Sequence, residues 1–210
     1  MSSLTYLDLD QPEAERVMAR YATAEDRAES ARYRNPDRHR QSLGARALLR
    51  AVLSETMAGD WQLVRDASGA PRLEGRHAPF ISLSHSHAMV ACAVCAAGRV
   101  GVDIEKQRED RSLDAIAAAV FGPQESAAVA SLGMTEFYRI WTQREALAKA
   151  TGIGFPLVVR PLDLTGADAG RAPLEGVDWS LAHWRLPGGY SLAIALEAGP
   201  IPEPRLYVPA

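Results

Sequence analysis

Apolar positions recur along this chain with two periods. Between Asp37, which can cap a helix, and Met57 the spacing is helical, with Leu43, Ala47, Leu48 and Leu49 on the buried side and Gly59 stopping the run. A shorter helical stretch over 23–33 ends before Asn35-Pro36. Strand-like segments follow at 62–65, 80–84, 89–96 and 99–105, with Ser-Gly-Ala-Pro-Arg from Ser68 as a hairpin-like turn. Ala97-Gly98 reads as a tight turn, which predicts that the last two strands pair antiparallel. In the second half, helical stretches cover 112–120, 123–131 and 135–151, the last closed by Gly152-Ile153-Gly154. Strands are expected at 157–164, 178–186 and 190–197, the last two joined by Pro187-Gly188-Gly189. Both halves place a long helix before an antiparallel sheet. That order predicts an α+β architecture of two similar lobes with a cleft between them.

Composition narrows the class. The chain has 210 residues, 47% apolar and 23% charged, enough to bury a sizeable core. The acidic start lacks the basic and apolar regions of a secretory signal, and the longest apolar stretch, 88–97, is far below the roughly 20 residues that span a bilayer. A cytoplasmic location without membrane association is therefore expected. Cys92 and Cys95 lie on an apolar strand, where residues three apart face opposite ways; the pair reads as two small buried side chains. The net charge of −3 hides nine arginines against four acids between Arg16 and Arg50, which suits either an anionic partner or a solvated helix face. Of the 23 basic residues only Lys106 and Lys149 are lysines, and such exceptions can mark places that want a compact ammonium.

Three segments carry candidate chemistry. In Val-Gly-Val-Asp-Ile-Glu, residues 100–105, strand alternation puts Gly101, Asp103 and Glu105 on one face. Two carboxylates beside a glycine are a start for a Mg²⁺ site, since that ion takes few protein oxygens and completes its shell with phosphate and water; an acidic, solvated edge strand fits the same hexapeptide. In the segment 141–154, read on the helix predicted at 135–151, Trp141, Glu145 and Lys149 form one stripe. A surface Glu–Lys pair there would contribute only about 0.2–0.5 kcal/mol, but the neighbouring Trp141 argues for partial burial and a site. In Ile-Ser-Leu-Ser-His-Ser-His, residues 81–87, Ser84 and His85 stand at a strand end where phosphate oxygens can be met, although a lone histidine there is commonly structural. His39, His77, His87 and His183 show no partner signature.

The order of Ser-His-Ser, then Val-Gly-Val-Asp-Ile-Glu, then Trp141-Thr-Gln-Arg-Glu-Ala-Leu-Ala-Lys-Ala-Thr-Gly-Ile-Gly154 resembles the Sfp-type 4′-phosphopantetheinyl transferases. The resemblance runs from about Arg38 to Phe155 and includes the helix segment 41–50 and the turn 68–73; beyond Pro156 only the general layout agrees. It implies a pseudo-dimer of lobes 1–103 and 104–210 forming one catalytic unit, with the site in the cleft between them. It also implies transfer of the 4′-phosphopantetheine group from coenzyme A to a serine of an apo acyl- or peptidyl-carrier protein, leaving adenosine 3′,5′-bisphosphate. Asp103, Glu105 and Glu145 would then hold Mg²⁺, with Glu145 also the general base. Lys149, His85 and Ser84 would bind phosphate oxygens, and Arg38 and Arg40 the 3′-phosphate, while the basic first half docks an acidic carrier helix. Nucleic acid is not an expected partner, and a monomer suffices.

Two departures stand out. Relatives often carry a lysine in a Gly-Lys-Pro turn; here the turn is Gly69-Ala70-Pro71, so that phosphate contact is lost or passes to Arg72. The usual Lys-Glu pair is Arg144-Glu145, and since residue 144 points about 100° away from Glu145 on a helix, arginine is expected to be tolerated. Two other readings compete: a coenzyme A- or carrier-binding protein that has lost catalysis, and a Mg²⁺-dependent phosphodiesterase. Three acidic groups and Lys149 count against a pure binder.

Overall fold

A computed structural model describes residues 1–57, 59–109, 112–166 and 169–209. The chain divides into two compact units: Met1–Ala97 together with the chain from Pro202, and Gly98–Ile201.

The first unit opens with β1 (Ser2–Asp8), α1 (Pro12–Tyr21), α2 (Ala24–Ser30) and the long α3 (Pro36–Thr56). Strand β1 and helix α1 lie ahead of any element read from the sequence. The α3 start shifts as well: Asn35 is the cap, its Oδ1 accepting from the amides of Asp37 and Arg38, with Pro36 at the first helical position. A small hairpin, β2 (Gln62–Arg65) with β3 (Pro71–Glu74), precedes β4 (Phe80–Ser86) and β5 (Met89–Cys95). Leu48, Leu49 and Val52 of α3 join Leu7, Val90 and Cys92 in one buried cluster. Both cysteines are free and buried, and burial pushes the Cys92 thiol up, as suits an inert packing residue.

The second unit contains β6 (Val100–Lys106), α4 (Leu113–Val120), α5 (Pro123–Leu132), α6 (Met134–Thr151), α7 (Phe155–Val158), β7 (Ala169–Leu174), β8 (Val177–Leu186) and β9 (Tyr190–Leu196). Its sheet runs β6-β9-β8-β7, antiparallel throughout, and Gly152 ends α6 in the left-handed conformation at φ 75°. Last, β10 (Pro204–Leu206) returns to the first unit and pairs parallel with β1, giving the sheet order β10-β1-β5-β4.

Two expectations are corrected. The segments around Ala97-Gly98 are not a hairpin: β5 has β1 on one edge and β4 on the other, so no edge remains for β6, which pairs with β9 instead. Ala97-Gly98 is the boundary between units, and Asp103 lies inside the second. The strand expected at 157–164 is a short helix and an irregular segment. Its carbonyls at Val158, Arg160 and Leu162 accept hydrogen bonds from the Arg144 guanidinium, which takes the place of a neighbouring strand.

Candidate active site

Gly101, Asp103 and Glu105 share a face of β6, and α6 lies on it. A Cβ at Gly101 would fall 1.9 Å from the Ala146 carbonyl oxygen and 2.7 Å from the Ala150 nitrogen. The glycine beside the carboxylates therefore makes room for a helix backbone. This approach sets Glu145 and Lys149 against the acidic strand: Lys149 Nζ donates to Asp103 Oδ1 at 2.8 Å and to the Val102 carbonyl at 3.0 Å. Asp103 is buried, and Glu105 and Glu145 are half-buried. Burial pushes the Glu145 carboxyl up to about 7, helped by the Asp103 charge, opposed by Lys149, and raised again by Glu105. Trp141, one turn before Glu145, stacks on Phe137 with ring centroids 5.9 Å apart.

The chemistry of this donor set suits a hard divalent cation. Asp103, Glu105 and Glu145 act on one another electrostatically, the Lys149 ammonium already serves Asp103, and burial together with the two neighbouring negative charges holds Glu145 away from its ionised form. Among the described residues no three acidic, imidazole or thiol groups stand together as a formed metal site. The fit therefore rests on charge and ligand type, with Asp103, Glu105 and Glu145 as the residues that would hold the ion.

The other assigned residues belong to the first unit. Arg38 Nη1 lies 3.3 Å from His85 Nε2, pairing the start of α3 with β4. Ser84 is buried on the opposite face of β4 from His85, as alternation requires. Arg40 is engaged elsewhere, donating to the Leu9 carbonyl, to Glu15 at 3.0 Å and to Asp10 at 3.4 Å. With Arg27 and His39 it lines a cavity of about 300 Å³ whose walls come from α1, α2 and α3. Arg72 pairs with Glu74 on its own strand. Of the three assigned arginines, Arg38 is the one with no carboxylate partner among the described residues.

Sequence reading passed over one buried pair. Arg144 and Glu125 are both fully buried and bonded to each other, with Arg144 stacked over Phe121 at 5.3 Å. The signal in the sequence was Pro123 followed by Glu125, the start of a capped helix, and Glu125 does accept from the Gly122 amide at 3.4 Å. Nothing in that spacing announces a second role for its carboxylate.

Comparison with known proteins places the chain in a family. The sequence profile of the 4′-phosphopantetheinyl transferase superfamily matches residues 99–195, within the second unit. The chain is 31% identical over 159 residues to the 4′-phosphopantetheinyl transferase HetI of Nostoc sp., covering 70% of this chain and 67% of HetI. It is 28% identical over 141 residues to a putative 4′-phosphopantetheinyl transferase of Synechocystis sp., covering 63% of this chain and 57% of that protein. To the 4′-phosphopantetheinyl transferase AcpT of Escherichia coli it is 32% identical over 107 residues, 49% of this chain and 55% of AcpT. The chain thus spans two thirds of HetI and little more than half of the other two. The extent of the HetI match, and a profile that falls on the unit carrying Asp103, Glu105 and Glu145, identify the chain as a member of the 4′-phosphopantetheinyl transferase superfamily and as a transferase.

Proposed function

We propose that this protein, of the Sfp type, transfers the 4′-phosphopantetheine group of coenzyme A to a serine of an apo acyl- or peptidyl-carrier protein. The observation that carries this reading is the close approach of α6 to β6 at Gly101, which sets Lys149 on Asp103 and Glu145 against the acidic strand inside the segment matched by the family profile; burial, helped by the Asp103 and Glu105 charges, raises the Glu145 carboxyl to about 7. A base of that strength is half-ionised at neutral pH and suited to take the proton of a serine hydroxyl. The serine oxygen bonds to the phosphorus bearing the pantetheine arm, the pyrophosphate P–O bond breaks, and adenosine 3′,5′-bisphosphate leaves. Mg²⁺, when bound by the three carboxylates, would neutralise pyrophosphate charge. Lys149 would exchange its bond to Asp103 for a phosphate oxygen. His85, with Ser84 beside it in sequence, is assigned to further phosphate oxygens. Arg38, beside His85, and Arg40, lining a cavity with Arg27 and His39, are assigned to the 3′-phosphate. Arg72 is a candidate only if it leaves Glu74.

Each unit sets a long helix on a four-stranded sheet, which supports the pseudo-dimer reading. The proposed state is a monomer. Among the described residues no helix is long and apolar enough to cross a membrane, and a coenzyme A substrate agrees with a cytoplasmic location. The test is to incubate the protein with Mg²⁺, coenzyme A and a panel of apo-carriers and weigh the carriers. One added phosphopantetheine is expected with the wild type and none with Glu145→Gln. Coenzyme A binding without transfer would identify a binding protein, and nucleic-acid cleavage without coenzyme A a phosphodiesterase.

A further inference from the structure

Arg144 is fully buried and densely bonded. A guanidinium has five N–H donors in a fixed plane, and all five are used here. Nε donates to Glu125 Oε1 at 3.3 Å and Nη2 to Glu125 Oε2. Nη1 donates to the carbonyls of Val158 and Arg160 at 2.8 and 2.9 Å, and Nη2 to that of Leu162 at 2.7 Å. Glu125 closes the loop by accepting from the Leu164 amide at 3.0 Å. One residue of α6 is thereby tied to α5 and to every second carbonyl of the segment 158–162, with no exposure to solvent.

Residue 144 precedes Glu145, so what fixes one fixes the other. On the strand side α6 meets Gly101 through bare backbone, and Ala146, Leu147 and Ala150 pack with Leu181, Ala193 and Ala195, contacts that are apolar and carry no fixed hydrogen-bond direction. From the acidic-strand side, the described bonds of Lys149 to Asp103 and Val102 are made by a flexible side chain, one third exposed. The rigid five-point fork of Arg144 adds bonds of fixed direction to that packing. We infer that Arg144, held by Glu125, is a positioning residue: it sets the rotation of α6 that aims Glu145 at Asp103 and Glu105. This rests on the functional reading above only for what Glu145 does once aimed. Arginine, expected only to be tolerated where relatives usually carry lysine, is here bonded to two carboxylate oxygens and three carbonyls. An ammonium has three donors and no plane, and cannot serve two carboxylate oxygens and three carbonyls at once.

Arg139 supplies the control. It too is buried on α6, but three of its four described bonds stay within the helix, two to Glu136 and one to Gln143; the fourth goes to the Leu164 carbonyl. Replacing it removes buried hydrogen bonds while leaving the 158–162 clamp in place. The experiment measures thermal midpoint, Mn²⁺ affinity and transfer kinetics for the wild type, Arg144→Lys, Glu125→Gln and Arg139→Lys. A displacement of the order of 1 Å at Glu145 predicts about a 10²-fold lower kcat for Arg144→Lys, with KM for coenzyme A moving less than about threefold, and weaker Mn²⁺ uptake. Arg139→Lys, at an equal loss of thermal midpoint, is expected to keep kcat and Mn²⁺ affinity. Equal kcat and metal affinity in Arg144→Lys and Arg139→Lys would overturn the inference and leave Arg144 a stability residue. A wild type that transfers nothing would refute the functional reading instead, and Mn²⁺ affinity would still decide the positioning claim. If Arg144→Lys and Glu125→Gln do not fold, hydrogen exchange of the wild type decides. Residues 158–164 and the 144–149 stretch of α6 must open as one unit, and a separate, easier opening of 158–164 contradicts the clamp.

Discussion

Arg38 and Arg40 stand two residues apart on α3 and meet opposite circumstances. Arg40 is tied to Glu15, Asp10 and a carbonyl, whereas Arg38 faces only the His85 ring among its described contacts. The same sorting thins the arginine-rich stretch as a whole: Arg32 serves Glu29, Arg46 and Arg50 serve Asp26, and Arg27 serves the Met18 carbonyl. Asp26 and Glu29 are among the four acids already counted against these arginines, so among the described ion pairs of the stretch only Arg40, held by Asp10 and Glu15, draws on acids from outside it. Arg38→Ala should raise KM for coenzyme A by about tenfold or more, the worth of one charge-assisted hydrogen bond, with little change in kcat. Steady-state kinetics check this, and an unchanged KM would remove Arg38 from the site. The acidic residues were legible because strand and helix periods put each on a stated face. That Lys149 would hold Asp103 was not, since periodicity gives a side chain its direction and not its partner.

At the scale of elements, α2 is held to α3 by one buried carboxylate. Asp26 accepts from the Thr23 amide, closing a capping box, and from Arg46 and Arg50 of α3. Burial works to raise its pKa, but hydrogen bonds from Arg50 and Thr23 and the Arg50 charge outweigh it, and the net shift is downward. A carboxylate with a depressed folded pKa stabilises fully above its unfolded value of 3.8, and that stability is lost as pH falls through the lower folded value. Asp26→Asn should cost about 3 kcal/mol at neutral pH, leaving two arginines without their anion. It should also flatten the acid limb of the stability curve, as urea unfolding between pH 2 and pH 7 would show. Helices and strands with clean periods, α3, α6, β8 and β9, were legible to within a few residues. The irregular 158–164 segment was not, because its apolar run looks like a strand until Arg144 claims its carbonyls. Nor was the parting of β5 from β6, since a short linker is the same in sequence whether it turns a hairpin or joins two units.

Across the whole chain, the two units are not consecutive in sequence, because β10 returns to the sheet of the first after the second is complete. Tyr207 anchors that return: it is buried, its amide donates to the Tyr6 carbonyl, and its hydroxyl donates to Glu55 Oε1 at 2.6 Å, with Arg205 on the other oxygen. Tyr207→Phe should lower stability by about 1 kcal/mol. Ending the chain after Ile201 should lower it more, because it uncovers the edge of β1 and part of the core. Thermal unfolding distinguishes the two, and a truncated chain as stable as the full one would refute the anchoring role. The central claim, that Asp103, Glu105 and Glu145 act as a single seat for a divalent ion, is tested most directly by titrating Mn²⁺ into the protein with coenzyme A present. The account predicts one ion per chain for the wild type, and affinity lower by about tenfold or more in both Asp103→Asn and Glu145→Gln. Affinity equal to the wild type in either variant would contradict it.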